Sequence, residues 1–359
     1  MEIETFQTAL NISGAYSKRH LLLGNGFSIA CDPTIFTYES LYHEADFSEN
    51  PQIKQCFELL GTTDFELVID ALDKSSSILP AYNTEAEGIC AKMVGDSNVI
   101  KDLLIRTISA RHPSIPTIIS QDKYDHCRRF LSIFLHKDNG GKVYTLNYDL
   151  LLYWTLMHEL DRDGSESKIS DGFGRDTIID NGEVIKSNEL TWQGGILDQN
   201  IHYMHGALHL YDAGYELQKF SWIDTGKRLI EQAREALQQG KFPLFVTEGD
   251  SSKKMEKITH SAYLFNSYRS FEVVTNGGLG RPGNTCLFTY GVSFSKNDDH
   301  ILYRIAQGKI KHLFVSIYGD PYSDENRQII SKVEAMKSQR KEYPLQVTFY
   351  DAQSAAVWG

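Results

Sequence analysis

The chain has 359 residues, 41% of them hydrophobic and 23% charged, an ordinary globular composition that excludes a disordered or fibrous chain. Lys and Arg number 36 against 47 Asp and Glu, giving a net charge of −11. Phosphate-backbone binding wants the opposite sign, so nucleic acid is not expected as a direct ligand.

The five cysteines, Cys31, Cys56, Cys90, Cys127 and Cys286, never come closer than 25 residues in sequence. That spacing leaves no CxxC and no zinc ribbon, and reads as reduced thiols in a cytosol. The opening stretch MEIETFQTAL is acidic and lacks the basic start of a signal peptide. No apolar run approaches the ~20 residues that span a bilayer. A cytoplasmic protein without membrane contact is expected, folded as a single domain over 1–359, although this length equally allows two.

The first strand-like run, His20–Leu23, leads into LLLGNGFS (Leu21 to Ser28). Gly24-Asn25-Gly26 lets the backbone turn tightly, and a helix starting near Ser28 would aim its positive end at an anion such as a pyrophosphate. The GxGxxG fingerprint fails, because Ile29 stands where glycine or alanine is needed. A plain strand-to-helix turn explains the motif as well.

Residues 40–140 then turn helical. Asp64–Asp73 places Phe65, Val68, Ile69 and Leu72 at helical spacing, and Asn98–Arg111 repeats the pattern with Val99, Leu103, Leu104 and Ile108. Asp122–Lys137 follows with Cys127, Phe130, Leu131, Phe134 and Leu135, stopping at Gly140–Gly141. This stretch reads as a helical insertion between the first two strands.

The second strand, Lys142–Leu146, opens VYTLNYDLL. Thr145, Asn147 and Asp149 cluster where that strand ends, the edge at which open parallel sheets bind ligands. Asn147 both donates and accepts, which suits ribose hydroxyls or a carboxamide, whereas an Asn or Asp here can also simply cap the next helix. Residues 161–200 are polar and rich in Gly and Asp, and read as a surface excursion with weak strand content.

The run Ile201–Met204 begins IHYMHGALHLY, with His202, His205 and His209. Their spacings of three and four would need one helix to share a metal, and Gly206 argues for a strand and turn instead. His205 fits a general base, its unperturbed pKa lying near 6.5; a structural, half-buried histidine is the plainer reading. Asp224 to Gln239 carries Leu229, Ile230, Ala233 and Leu237 on one helical stripe before Gly240.

Four further runs follow: Pro243–Val246, Cys286–Tyr290, His312–Ile317 and Leu345–Tyr350. Unalternating apolar runs suit strands buried on both faces of a parallel sheet. In FTYGVSFSKNDDH, Gly291 ends a strand beside the hydroxyls of Ser293 and Ser295; Asp298 and Asp299 can bind magnesium, but capping a helix that begins near His300 is weighted higher. The alternation predicts an α/β fold with a doubly wound, mainly parallel, Rossmann-like sheet.

Taken in order, these motifs resemble the sirtuin signature: a Gly-x-Gly-x-Ser loop at Gly24, Gly26 and Ser28, Thr-x-Asn-x-Asp at Thr145, Asn147 and Asp149, His205-Gly206, and Gly291-x-Ser293. The resemblance covers the sheet-forming segments and not the helical stretch. It is nearest to divergent bacterial sirtuin-like proteins, a group associated with NAD hydrolysis in defence against phage. It implies NAD+ as substrate, with Asn147, Asp149 and His205 catalytic. Cofactor contacts would come from Gly24, Asn25, Gly26, Phe27, Ser28, Thr145, Tyr148, Gly206, Gly291, Ser293, Phe294 and Ser295. Tyr318 and Asp351 join them only as strand-end positions.

The departures shape the expected activity. The paired cysteines of the sirtuin zinc module are absent, so no zinc and no other metal are expected. Leu146 replaces the family's glutamine, and the Gly-Ile-Pro-Asp-Phe-Arg segment has no counterpart after Ser28. An NAD glycohydrolase releasing nicotinamide is therefore expected ahead of an NAD-dependent deacylase. The rival from another class is a non-catalytic module that senses NAD, ADP-ribose or another nucleotide. Because free NAD hydrolysis would poison its host, control by homo-oligomerisation or a regulatory partner is expected.

Overall fold

The computed structural model describes residues 2–138, 140–160, 169–180, 183–194, 198–213, 216–220, 228–238, 243–276 and 284–359. The expected helix from Asp224 has its first residues, and its Gly240 stop, outside that set.

Six parallel strands form the main sheet: β1 (Lys18–Leu23), β2 (Val143–Thr145), β5 (Ile201–Tyr203), β9 (Thr285–Tyr290), β10 (His312–Ile317) and β11 (Gln346–Asp351). Their order is β11-β10-β9-β1-β2-β5. Numbered among themselves, the strands run 3-2-1-4-5-6, and the direction of winding reverses between β1 and β9. Every residue of β9 and of β10 is buried, which is why these runs are apolar without alternation. Phe288 and Phe314, paired in register, stack at 4.3 Å between ring centres.

A second, five-stranded sheet has the order β3-β4-β7-β6-β8 and is antiparallel throughout. It comprises β3 (Phe173–Asp180), β4 (Glu183–Trp192), β6 (Gly206–Asp212), β7 (Leu217–Lys219) and β8 (Pro243–Phe245). Two expectations change here. Pro243–Val246 pairs antiparallel with β6 rather than extending the parallel sheet. The 161–200 excursion carries two long strands, joined as a hairpin. Period-two patterning is weak in so polar a segment, and that hid them.

Helix α1 (Phe6–Ser13) precedes β1, and seven helices separate β1 from β2 in the chain. They are α2 (Gly26–Cys31), α3 (Pro33–Phe36), α4 (Tyr38–Glu44), α5 (Pro51–Leu60), α6 (Phe65–Ile78), α7 (Glu87–Arg111) and α8 (Gln121–Leu135). Asp64 starts α6 by accepting from the amides of Glu66 and Leu67, and the helix buries Phe65, Val68, Ile69 and Leu72 as their spacing predicts. The remainder are α9 (Leu151–Leu160), α10 (Leu229–Gln238), α11 (Ser251–His260), α12 (Ala262–Thr275), α13 (Asp299–Gln307) and α14 (Asp324–Gln339). Core residues of both sheets, among them Leu22, Val315, Leu208 and Phe245, belong to one continuous hydrophobic cluster. No helix among the described residues is long and apolar enough to cross a membrane.

Candidate functional site

A cavity of about 950 Å³ opens over the carboxyl ends of the parallel strands, a volume at the upper end of the range for small-molecule and cofactor sites. Each of the six strands sends residues to it: Gly24–Gly26 after β1, Leu146–Asp149 after β2, His205 after β5, Gly291–Ser293 after β9, Tyr318 after β10 and Ala352–Gln353 after β11. Helices from between β1 and β2 cover it with Phe36, Tyr38, Leu41, Glu66, Leu104 and Ile108.

Of the residues singled out from sequence as catalytic, ligand-binding or capping, Gly24, Asn25, Gly26, Asn147, Tyr148, Asp149, His205, Gly291, Ser293, Ser295, Asp298 and Tyr318 line this cavity. The others do not. Phe27 packs on Trp358 and its carbonyl accepts from the indole N–H at 2.8 Å. Ser28 is buried under Asp149, and the Thr145 hydroxyl accepts from the Asn147 amide. Gly206 opens β6, Phe294 is buried with φ of 55°, and Asp351 accepts from the Gln353 amide.

The glycine loop differs from the expectation in detail. Helix α2 begins at Gly26, two residues early, and lasts six residues. The amides of Gly24, Gly26, Phe27 and Ser28 all donate to backbone carbonyls, of Tyr290, Gly291, Gly24 and Asn25 respectively. The glycines answer a packing demand. A Cβ on Gly26 would lie 2.5 Å from the Gly291 Cα, and Gly291 itself has φ of 66°, so the loops after β1 and β9 touch backbone to backbone.

Beside that loop, the Asn147 side-chain amide donates to the Gly24 carbonyl at 3.0 Å and to Ser28 Oγ at 2.9 Å. Ser28 Oγ donates to Asp149, whose other oxygen accepts from the Leu151 amide at 2.8 Å and so caps α9. Burial raises the Asp149 pKa, opposed by these two bonds. Asn147 Oδ1 has no protein partner among the described residues, which leaves an acceptor on a cavity-lining side chain.

His205 stands where the chain passes from β5 to β6, at the junction of the two sheets. Its ring is 2% exposed, and burial, followed by the Lys254 charge, holds its pKa well below the ordinary value. It is therefore a neutral imidazole at pH 7. His205 Nε2 lies 3.0 Å from His300 Nε2 and 3.9 Å from Asp298 Oδ1.

Asp298 occupies the N-cap position of α13 but makes no capping bond, so the expected capping role gives way to another. Its carboxylate faces Lys254 Nζ at 3.1 Å, and Lys254 also bonds Glu66 Oε2 at 2.8 Å. Asn297 donates to the same Glu66 oxygen, and the Tyr148 hydroxyl, which donates to the Val246 carbonyl at 2.6 Å, lies 3.3 Å from Glu66 Oε1. Burial pushes the Glu66 carboxyl up to about 7 even against Lys254. Burial opposes the charge on Lys254 and on Asp298 too, yet their partners prevail: Lys254 is held protonated and Asp298 ionised. Glu66, Lys254 and His300 were missed as site residues. The one available signal was polar residues at inward positions of apolar helical stripes.

His205, Asp298 and His300 bring three ligand-type atoms together. The ring centres of the two histidines are 5.2 Å apart, with planes tilted by 25°. Rings meeting nitrogen to nitrogen in one plane at hydrogen-bond distance place their centres about 5 Å apart. Two rings bound to one tetrahedral ion, at about 2.1 Å per bond, would hold their nitrogens about 3.4 Å apart, wider than the 3.0 Å between these two. The Lys254 ammonium also occupies the Asp298 oxygen that a cation would need. The arrangement is a hydrogen-bonded pair beside an ion pair.

A family model described as a domain of unknown function (DUF4917) matches residues 21–358. The chain belongs to the DUF4917 family. No curated protein matches it. The match begins at Leu21 in β1 and ends at Trp358, so the DUF4917 span holds every strand end that meets the cavity.

Proposed function

We propose that the protein is an NAD+ glycohydrolase, cleaving the bond between nicotinamide and ribose C1′ to give nicotinamide and ADP-ribose. The observation that carries this reading is the position of one dinucleotide-sized cavity over six parallel strand ends, with Asn147 Oδ1 and the neutral His205 on its wall. The strand order 3-2-1-4-5-6 is that of dinucleotide-binding sheets, in which the ligand sits outside the carboxyl ends where the winding reverses. This supports a Rossmann-like, sirtuin-like architecture, with the helices between β1 and β2 as an insertion that roofs the site.

Cleavage of a glycosidic bond passes through an oxocarbenium-like state. Asn147 Oδ1 accepts from a ribose hydroxyl and fixes the sugar. His205 takes a proton from the ribose hydroxyl or the attacking water. Asp298 and the neighbouring carboxyl of Glu66 supply negative potential beside the positive charge that develops. Ser293 and Ser295, with Tyr318 at the rim, contact the adenosine side.

Purified protein incubated with NAD+ should release nicotinamide, and His205→Ala should cut that rate by roughly 100-fold or more, as loss of a general base does. Asn147→Ala should do likewise, with circular dichroism unchanged in both. Full activity in either variant would remove its assigned role.

A non-catalytic nucleotide sensor is the second reading; in either case the glycine-loop amides are spent on the fold, so other groups must hold the pyrophosphate. NAD+ binding by calorimetry without nicotinamide release would select it. Acyl-peptide-dependent release together with acyl-ADP-ribose would instead select a deacylase. In keeping with a host-toxic activity, we propose a cytoplasmic effector of anti-phage defence, held in check by self-association or a regulatory partner.

A further inference from the structure

His300 belongs to none of the roles above, yet it makes the direct contact to the proposed base. It is the second residue of α13 and is buried. Its Nε2 meets His205 Nε2 at 3.0 Å, and its Nδ1 lies 3.3 Å from Ser251 Oγ at the start of α11. The His300 amide donates to the same Ser251 oxygen at 2.7 Å. Among the described residues, His205 Nδ1 has no hydrogen-bond partner, and the ring borders the cavity.

Two facing Nε2 atoms hold one proton between them, and the neighbouring charges decide where it sits. Asp298, ionised and 3.9 Å from His205 Nε2, favours the proton on that nitrogen. Once Asp298 has placed the shared proton on His205, Ser251 Oγ can take His300 Nδ1–H on the lone pair left by the His300 amide. With Nδ1 of His300 donating to Ser251, its Nε2 is an acceptor, and His205 Nε2–H donates to it. His205 Nδ1 then carries the free lone pair.

We propose that His300 is a positioning residue that holds His205 in the Nε2–H tautomer, keeping Nδ1 unprotonated toward the cavity. This inference rests on His205 acting as the base. The groups that face the pair are Lys254 from α11, Glu66 behind it from α6, and Asp298 and Asp299 at the start of α13. Burial holds His300 down at about 4, so at neutral pH it remains a neutral acceptor.

The decisive measurement is the ¹⁵N spectrum of the histidine rings at pH 7.5, with His205 assigned by difference against His205→Ala. The wild type should show a pyridine-type Nδ1 and a pyrrole-type Nε2 at His205. His300→Leu, which removes the acceptor, should mix the tautomers and cut nicotinamide release about 10-fold or more, the scale seen when a histidine's supporting partner is lost. His300→Gln keeps an acceptor oxygen and should keep both the tautomer and most of the activity. Equal loss in the Leu and Gln variants, or a wild-type His205 protonated at Nδ1, would overturn the proposal. If the wild type neither releases nicotinamide nor binds NAD+ by calorimetry, the hydrolase reading fails, while the spectra still decide what His300 does.

Discussion

The two walls of the cavity are built on opposite principles. On one, Ser28, Asn147 and Asp149 form a compact hydrogen-bonded set whose donors are spent on one another and on the backbone. On the other, Lys254, Glu66 and Asp298 bring three ionisable groups out of water beside the His205–His300 pair. The first wall gains its stability from satisfied polar groups and joins the loops after β1 and β2. The second carries desolvated charge that ties three segments together, and such clusters concentrate where chemistry is done. The contrast separates a neutral wall, which offers the cavity the Asn147 acceptor, from a charged wall beside the proposed base.

The largest test of that contrast removes the buried cation. Lys254→Met keeps the length of the stem and leaves Glu66 and Asp298 facing each other unpaired. Breaking a buried ion pair from one side costs about 3–5 kcal/mol, so thermal melts should show a large fall in Tm. A loss no greater than that of a surface substitution would mean that Lys254 is solvated and the charged wall is open.

Next in size is a pH effect specific to Glu66. Its carboxyl titrates at about 7 in the fold, against 4.5 ordinarily. The raised value means its contribution is fully present below 4.5 and is lost as pH climbs through 7. Glu66→Gln cannot titrate, so its stability relative to wild type should rise between pH 5 and 7, by at most about 1.4 kcal/mol per pH unit, and level off above. A flat difference would show Glu66 ionised throughout.

The same contrast explains what the sequence disclosed. The parallel strands were legible because burial on both faces leaves apolar runs such as Cys286–Tyr290, and the motifs at their ends were legible because an open sheet brings strand ends to one edge. The neutral wall came with them, since Asn147 and Asp149 directly follow β2. The charged wall did not. Glu66, Lys254 and Asp298 lie on three segments between about 40 and 230 residues apart, and only the fold brings them together. Asp298 was read as a cap because local pattern cannot distinguish a carboxylate facing its own helix from one facing a lysine on another. The β3–β4 hairpin escaped for a different reason: its residues are too polar for strand periodicity to register.

The smallest expected effect falls on the neutral wall. In Ser28→Ala, Asp149 loses its hydroxyl donor, and one Asn147 N–H loses its acceptor while the other keeps the Gly24 carbonyl. Losing these two bonds inside a buried set costs about 1–3 kcal/mol. The loss should be the same at pH 6 and pH 8, provided that Asp149, still held by the Leu151 amide, stays ionised over that range. Nicotinamide release should fall only as far as Asn147 Oδ1 shifts, within about 10-fold and well short of the His205→Ala effect. A loss of activity equal to that of His205→Ala, with little loss of stability, would make Ser28 part of the chemistry and erase the distinction between the walls.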